Sequence, residues 1–546
     1  MKINKLILYI GFWSEHKIEE DHIYLNALKN QNYIIEKSEI ISIELLSKYD
    51  IIICGSFIKN VNDIFILTKF VDKIIFNITE PIEFNNILMY KIYSKNIFNL
   101  IVGCVRNKEN QIKYPHYMDW GITEEKIQEI NTYILNFKFE DLFNKKFCCL
   151  INRHDFGNTR TKIYEKLKLI DKIDCPSNLF NNYSNDKFEK IGRTNFQKEY
   201  LFSICPENFI TKINGYVTEK LYMACIAGTI PIYYGDLDEI DKRIFNINRI
   251  IVFDPNSEES ITNAYLNILK LMSDYNELYR YYIQPIFCDS AIDTINEIKN
   301  NLNLRINNLI NDNNLLNKYD KINGIDHIVW INLDRSIDRR NNMQELLKYI
   351  KIPHTRIQAI DGKTEDFSNF NYIERPLTNY EKAVCLSHIK AYSYLLKKSG
   401  NYFLILEDDI KLDNLKFFEF DLKTIINNAP IFDILLIHKT HNKLLNNLYT
   451  KWNSNIYSAV AYIVSKKGLH NLLKLAEYKD GCFNIKTPLS IGDYFMYNQL
   501  ETWVYKYNFL STQDENSIIH PEHLNIHKES SYFQHTTIIN DLILNN

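Results

Sequence analysis

Two groups of charged residues follow apolar, strand-like segments and could act on a phosphorylated ligand. The first is Thr218, Glu219 and Lys220, at the start of a helix predicted over residues 217–227. A helix that begins after a strand and a loop in an α/β unit presents its N-terminus to phosphates and sugars. The alternative is that Thr218 and Glu219 cap the helix and Lys220 is solvated.

The second group is Glu407, Asp408 and Asp409, directly after the apolar segment 403–406. If the backbone stays extended, Glu407 and Asp409 project to the same side. Clustered carboxylate oxygens suit Mn²⁺ or Mg²⁺, which can act as a Lewis acid for a departing diphosphate. An acidic turn that caps the following helix is the alternative.

Four further side chains are candidates by their position. Glu80 comes just past a predicted strand and could be functional or a turn residue before a proline. Arg160 starts a predicted helix, and its guanidinium could hold a diphosphate or simply lie at the surface. Glu381 and His388 are seven residues apart on one helical face, where they could line a pocket or pack.

The elements that must position these residues alternate between strands and helices. Strands are predicted over residues 6–10, 50–54, 73–77, 100–104, 147–151, 202–205 and 229–234. This alternation predicts an α/β fold with largely parallel sheets. Gly228 is expected to end the helix that carries Lys220, and Pro231 indicates an edge strand or a strand start.

A break in composition separates the last part of the chain. Asn makes up four of the residues 311–317, after a helical region over residues 255–310. A new strand over residues 325–333 and a helix follow, which predicts a separate domain after a linker at residues 311–324.

The overall composition excludes several classes of protein. The chain has 546 residues, which suggests three domain-sized units, and its net charge of −3 gives no electrostatic case for nucleic acid as a partner. The ten cysteines are scattered, without zinc or disulfide spacing. No segment has about 18 uninterrupted apolar residues, so we expect no transmembrane segment and a soluble, cytoplasmic enzyme.

Three histidines lie near the C-terminus, at positions 520, 523 and 527. Pro521 breaks simple helical presentation, and no cysteine or carboxylate set completes a zinc site. We therefore expect a surface tail, although one of these histidines could complete a metal shell.

The first charged group lies in a longer pattern. Residues 206–208, PEN, followed by residues 215–236, GYVTEKLYMACIAGTIPIYYGD, resemble the donor-site signature of the family 10 glycosyltransferases, the α-1,3-fucosyltransferases. The resemblance implies a GT-B-type pair of Rossmann-like lobes, with residues 1–145 on the acceptor side and 146–310 binding the donor, GDP-fucose. It implies Glu80 as the base and no metal. The donor-binding residues that it implies are Arg160, Asn208, Tyr216, Glu219 and Lys220.

The second charged group also lies in an ordered pattern. INLDRSIDRR at 331–340, AIDG at 359–362, LTNYEKAVCLSHIKAY at 377–392 and ILEDD at 405–409 resemble the family 25 glycosyltransferases, which include lipopolysaccharide and collagen galactosyltransferases. The resemblance implies a GT-A-type nucleotide-diphospho-sugar transferase domain over residues 325–546. Its implied residues are Glu407 and Asp409 for Mn²⁺ or Mg²⁺, Asp334, Arg335, Glu381 and His388 for the donor, and Asp493 as acceptor base.

Together these patterns predict a bifunctional glycosyltransferase. We expect fucose from GDP-fucose in the first module, and galactose or glucose from a UDP-sugar in the second, to be added to a glycan, lipopolysaccharide or glycoprotein. One alternative is that only one module is active and the other is an acceptor-binding platform. Another is a non-catalytic glycan-binding protein.

Overall fold

The computed structural model describes residues 5–11, 33–55, 57–58, 60–70, 73–78, 91, 98–106, 108, 110–155, 157–209, 215–310, 320–368, 376–441, 443–512 and 524–544. The chain divides into two units, Met1–Asp312 and Asn313–Asn546. Each unit is described by itself below.

The N-terminal unit contains two parallel sheets. The first has the strand order β2-β1-β3-β4-β5-β6. Its strands are β1 (Lys5–Ile10), β2 (Tyr33–Lys37), β3 (Ile51–Cys54), β4 (Ile74–Ile78), β5 (Leu100–Gly103) and β6 (Gln111–Lys113). Isoleucine dominates these strands, and β3 and β4 are buried along their whole length, as a sheet covered on both faces requires.

The second sheet of this unit has the order β11-β10-β9-β7-β8 and is also parallel. Its strands are β7 (Lys146–Leu150), β8 (Ile173–Asp174), β9 (Tyr200–Ile204), β10 (Ile230–Tyr233) and β11 (Ile251–Val252). One continuous apolar cluster includes residues of both sheets, such as Val102 of β5 and Phe202 of β9. The two sheets therefore share a core.

Eleven helices of the N-terminal unit are described. They are α1 (Ile43–Ser47), α2 (Val61–Thr68), α3 (Glu124–Leu135), α4 (Thr161–Leu167), α5 (Asn185–Ile191), α6 (Arg193–Gln197), α7 (Glu219–Ile226), α8 (Glu239–Ile244), α9 (Glu258–Ser273), α10 (Tyr275–Tyr282) and α11 (Ala291–Ile310). A short 3₁₀ helix, His116–Trp120, follows β6.

The C-terminal unit is built on a mixed seven-stranded sheet of order β13-β12-β14-β18-β16-β21-β17. Its strands are β12 (His327–Asn332), β13 (His354–Gln358), β14 (Tyr402–Glu407), β16 (Ile434–Leu436), β17 (Tyr449–Lys451), β18 (Ala461–Ser465) and β21 (Thr502–Tyr505). Strand β14 pairs in parallel with β12 and antiparallel with β18. Two small pairs lie outside it: β15 (Ile410–Lys411) with β22 (Ser511–Thr512), and β19 (Ala476–Lys479) with β20 (Cys482–Ile485).

Six helices of this unit are described: α12 (Ile337–Leu347), α13 (Asn379–Leu396), α14 (Leu422–Asn428), α15 (Lys466–Leu473), α16 (Gly492–Tyr497) and α17 (Leu524–Ile538). Buried residues of α13, such as Leu386 and Ile389, pack with Ile405 of β14 in the core of the unit. No helix in the described part of either unit is long and apolar enough to cross a membrane.

The α/β fold, the parallel sheets of the N-terminal unit and the predicted strands are confirmed. Gly228, at a φ of +76°, ends α7 as expected. Of the two alternatives for Pro231, the edge strand is wrong, because β10 has neighbours on both sides. The strand start is confirmed, because Pro231 is the second residue of β10. Pro231 fits because β11 pairs with β10 only from Ile232 onward, so the missing N–H of the proline interrupts no bond there.

One further expectation differs from the structure. Strand β14 ends at Glu407 and the chain turns at Asp408 and Asp409, so the extended backbone assumed there is wrong. The surface tail expected at residues 520–527 agrees with the described part of that range, where residues 525–527 are exposed. The buried residues Ser530 and Gln534 of α17 come after it. His527 is an exposed residue of this helix, and His520 and His523 lie outside the described residues.

Candidate active sites

A buried carboxylate organises the start of α7. Glu207 follows β9, and its carboxylate accepts hydrogen bonds from Thr218 N at 2.7 Å, Thr218 Oγ1 at 2.8 Å and the Tyr233 hydroxyl at 3.0 Å. The ammonium of Lys220 lies 3.4 Å from the same carboxylate. Glu207 therefore fixes the first turn of the helix and the direction of Lys220.

Sequence reasoning missed Glu207, although it lies inside the PEN segment. The available signal was a carboxylate between a strand and the helix that carries Lys220. The alternative stated for this group is confirmed in one part and wrong in another. Thr218 does cap α7, but Lys220 is only 8% exposed and is not a solvated surface lysine.

Glu219 is surrounded by positive charge. Its carboxylate lies 3.3 Å from His116 Nδ1 and 3.7 Å from Lys220 Nζ. Burial acts to raise the pKa of Glu219, but His116, Lys220 and Arg193 outweigh it and hold that pKa well below its usual value. Glu219 is therefore ionised across the physiological range.

Arg193 adds a cation that sequence reasoning did not single out. It is partly buried at the start of α6, and its Nε has no hydrogen-bond partner among the residues that the structure describes. No short motif marks an arginine of this kind, because its nearness to Glu219 depends on how α6 and α7 pack.

Arg160 lies inside the protein, with its exposed fraction at 0%. Its guanidinium donates to Pro206 O at 3.0 Å, Asn208 Oδ1 at 2.8 Å and His154 O at 3.1 Å. Burial lowers its pKa. In this structure Arg160 holds the segment that contains Glu207.

The other two predicted residues of this module have different positions. Tyr216 is 2% exposed and packs with Cys104, which follows β5, and with Phe209. Glu80 lies outside the described residues, so its predicted role as base stays a prediction.

An ionic cluster links the two sheets of the N-terminal unit. Fully buried Lys113 of β6 contacts Asp238 at 2.8 Å and also Asp241, which accepts a hydrogen bond from Tyr117 at 2.9 Å. Burial raises the pKa of Asp241 to about 6. Because both partners of each contact are buried or partly buried, the cluster constrains how far the two sheets can separate.

The C-terminal unit has a cleft at the end of β14. It encloses about 740 Å³, a volume that includes the open space at its mouth. Glu407, Asp408 and Asp409 line it together with Arg339 and His388. The turn after β14 therefore brings all three acidic residues to one cleft.

The three carboxylates have different partners. Asp408 accepts hydrogen bonds from Asn332 at 2.6 Å and Arg339 at 3.1 Å. Oδ1 of Asp409 is buried and has no hydrogen-bond partner in the described ranges. Burial, together with the negative charge of Glu407, raises the pKa of Asp409 well above its usual value. Asn332 and Arg339 thus compensate the negative charge of Asp408, whereas Oδ1 of Asp409 has no such partner.

His388 lies beside Glu407, with Nε2 3.3 Å from Oε1, and its Nδ1 is 2.9 Å from the Tyr462 hydroxyl. Glu381 has another role: its carboxylate accepts from Thr378 N at 2.8 Å and Thr378 Oγ1 at 2.9 Å. These two residues form a capping box at the start of α13. Only His388 of the pair lines the cleft.

Asp334 and Arg335 follow β12 and have different surroundings. Arg335 lines the cleft and pairs with Asp361 at 3.5 Å. Asp334 is outside the cleft lining and is held by Arg340 at 3.3 Å and by Arg356. The structure therefore places only Arg335 at the cleft.

Asp493 stands at the start of α16. Its Oδ2 accepts a hydrogen bond from Ser458 N at 2.8 Å. Burial and the negative charge of Glu407 raise the pKa of Asp493 to about 6. A carboxylate with this pKa is ionised at neutral pH and is a stronger base than an ordinary aspartate, which suits proton abstraction.

The fit of a divalent cation can be judged from these groups. Within the described ranges no three His, Cys, Asp or Glu side chains converge as a ready-made metal site. Glu407 and Asp409 nevertheless supply hard oxygen ligands, and their mutual repulsion and the unpartnered Asp409 Oδ1 favour an added cation. The donor set fits a metal that keeps water and substrate oxygens as its other ligands.

Comparisons with known proteins found a different family model matching part of each unit. Residues 142–284 match the family model described as glycosyltransferase family 10 (fucosyltransferase), C-terminal part. Residues 325–485 match the model described as glycosyltransferase family 25 (LPS biosynthesis protein).

The similar sequences are partial matches. Procollagen galactosyltransferase 2 of Mus musculus is 30% identical over 104 residues, which is 17% of each chain. A glycosyltransferase 25 family member of Drosophila melanogaster is 28% identical over 171 residues, covering 27% of this chain and 28% of the relative. The chain thus spans less than a third of the length of these relatives.

Among solved structures, an α1,3-fucosyltransferase aligns with 56% of this chain and 90% of its own, at 16% identity and a TM-score of 0.41. By sequence, the N-terminal unit thus contains a segment that matches glycosyltransferase family 10, and the C-terminal unit one that matches glycosyltransferase family 25.

Proposed function

We propose that the protein is a bifunctional glycosyltransferase whose two units use different ways to stabilise a departing nucleoside diphosphate. The observation that carries this proposal is the opposite charge balance of the two sites. Cations of the protein surround Glu219 and depress its pKa, whereas burial, together with the negative charge of Glu407, raises the pKa values of Asp409 and Asp493.

The N-terminal unit would transfer fucose from GDP-fucose without a metal. Lys220 and Arg193 supply positive charge close to the N-terminus of α7, where a diphosphate leaving group is stabilised. Glu219 stays ionised and would accept hydrogen bonds from donor hydroxyls. Glu80 would take the proton of the acceptor hydroxyl.

The C-terminal unit would transfer a hexose such as galactose or glucose from a UDP-sugar, within a GT-A-type domain. Glu407 and Asp409 would hold Mn²⁺ or Mg²⁺, which supplies Lewis-acid stabilisation when bound. Asp493 would remove the proton of the acceptor hydroxyl as its oxygen bonds to the anomeric carbon. The bond from that carbon to the diphosphate oxygen breaks, and UDP leaves with the electron pair.

The fusion of two units favours consecutive additions to one acceptor, which could be a glycan, a lipopolysaccharide or a glycoprotein. We place the reaction in the cytoplasm, where nucleotide sugars are made. The retained carboxylates of both sites favour this function over a pure glycan-binding protein, which would not need a base or a metal site.

The test is release of nucleoside diphosphate by the full-length protein from a panel of GDP- and UDP-sugars, with Mn²⁺ and then with EDTA. We expect a GDP-sugar activity that survives EDTA and a UDP-sugar activity that is lost. Loss of both activities in EDTA would overturn the assignment of the N-terminal unit. Nucleotide binding without turnover of any donor, with a panel of acceptors present, would favour the glycan-binding alternative.

A further inference from the structure

Ser458 has an unusual backbone conformation beside the cleft of the C-terminal unit. Its φ is +147°, in the region that favours glycine, and the residue is 8% exposed. A non-glycine residue persists in such a conformation only where its surroundings hold it, and residues of this kind cluster at functional sites.

Every polar atom of Ser458 has a partner. Its N–H donates to Asp493 Oδ2 at 2.8 Å, and its carbonyl accepts from the Tyr497 hydroxyl at 2.9 Å. Its Oγ lies 2.8 Å from His438 Nδ1 and accepts from Val460 N at 3.2 Å. Contacts to Asp493, Tyr497 and His438 therefore hold the strained backbone in place.

The same short segment also holds Glu407, an acidic residue that lines the cleft. Val460 O accepts the backbone N–H of Glu407 at 2.8 Å. Ser458 thus bonds directly to Asp493 on α16 and, through Val460, is linked to the end of β14. The segment 458–460 sets the spacing between the two carboxylates.

We propose that Ser458 is a positioning residue that holds the Asp493 carboxylate at a fixed place relative to Glu407. Its Oγ contacts keep the strained backbone in place, and the backbone N–H orients the carboxylate. The inference rests on the proposed sugar transfer by this unit, in which Asp493 receives the proton of the acceptor hydroxyl.

A serine beside a histidine could also suggest a nucleophile. The arrangement does not support that chemistry, because Asp493 binds the backbone N–H of Ser458 and not the ring of His438. Burial, with the charge of Lys439, lowers the pKa of His438 to about 3, so the imidazole stays neutral.

The test compares Ser458→Gly with Ser458→Ala in the full-length protein. Glycine adopts a φ of +147° without strain and keeps the N–H, so we expect kcat of the Mn²⁺-dependent transfer to stay within about threefold of the wild type. Alanine keeps the strain and loses both Oγ contacts. We expect its kcat to fall by about 100-fold, the size of effect that a misplaced catalytic group can have, with UDP affinity unchanged. The exposed Ser454, changed in the same two ways, is the matched control.

Equal kcat values for the two Ser458 variants, whether both high or both low, would overturn the proposal. If Ser458→Ala does not fold, Tyr497→Phe removes one anchor of the same backbone and should lower kcat to an intermediate value. An unchanged kcat in that variant would also count against the proposal.

Crystal structures of the two Ser458 variants separate this inference from the proposed reaction. We expect the hydrogen bond between residue 458 N and Asp493 to persist with glycine and to be broken with alanine, whichever sugar the unit transfers. If the wild type turns over no nucleotide sugar, the proposed reaction fails, and the position of Asp493 in these crystals still decides the positioning role. An intact bond in the alanine variant would refute it.

Discussion

The two units differ in how the negative charges of their acidic residues are compensated. In the N-terminal unit, Glu207 and Glu219 are both within 4 Å of Lys220, so each buried carboxylate has a protein cation beside it. In the C-terminal unit, Asp408 has Arg339, but Asp409 has an unpartnered buried oxygen. An unpaired buried charge is costly, which is why we propose a cation at the second site.

The largest expected effect tests the need for that cation. Asp409→Asn removes the carboxylate with the unpartnered oxygen. We expect Mn²⁺-dependent release of UDP to fall by about 100-fold or more, because the metal loses a charged ligand, with GDP-sugar turnover unchanged.

Asp338→Asn is the matched control, since Asp338 is an exposed acidic residue of the same unit. Equal UDP release by the Asp409 and Asp338 variants would show that the two units do not differ in metal use.

The next largest effect tests the ion pair between Glu207 and Lys220 in the N-terminal unit. Glu207→Gln leaves the ammonium of Lys220 next to a neutral amide and removes an acceptor from Thr218. We expect the rate with GDP-fucose to fall about tenfold or more, since one charge-assisted hydrogen bond contributes about 1.5–3 kcal/mol.

The rate of the C-terminal unit is the internal control for the Glu207 variant. Loss of both activities together would mean that the substitution unfolds the chain, and circular dichroism would reveal this. A folded variant with full GDP-fucose activity would contradict the role given to Glu207.

A third prediction concerns pH. A base must be ionised, so the rate of the C-terminal unit should fall tenfold per pH unit below about pH 6, where Asp493 becomes protonated. Glu219, with its lowered pKa, stays ionised there and imposes no such loss on the N-terminal unit. Rate profiles from pH 4.5 to 8 with each donor measure this. If the rates with the two donors fell over the same acidic pH range, the proposed electrostatic difference between the two sites would be wrong.

The smallest effect concerns Glu381, which caps α13 in the structure. Glu381→Gln keeps an acceptor for Thr378, so we expect UDP-sugar turnover to change by less than threefold and the free energy of unfolding to fall by about 1 kcal/mol at most. Turnover assays and chemical denaturation measure both. A loss of turnover as large as that of Asp409→Asn would place Glu381 in the donor site after all.

The sequence predicted the strands and both candidate sites because strand ends and motif order are local properties of the chain. It could not separate Glu381 from His388, since a shared helical face does not say which residue turns toward the cleft and which toward the helix N-terminus. It also could not anticipate the burial of Arg160, whose guanidinium is taken up by oxygens of residues 206 and 208, far along the chain.

By itself, the sequence determined the break between the two units, the alternating fold, the acidic group at the end of β14 and the charged group at the start of α7. The tertiary structure decided which charges meet. The pairing of Glu219 with His116 joins residues about a hundred positions apart. The contact between Ser458 and Asp493 joins a strained segment to helix α16. The physical reason is that charge compensation depends on distance and burial in the folded chain, and no spacing along the sequence encodes either.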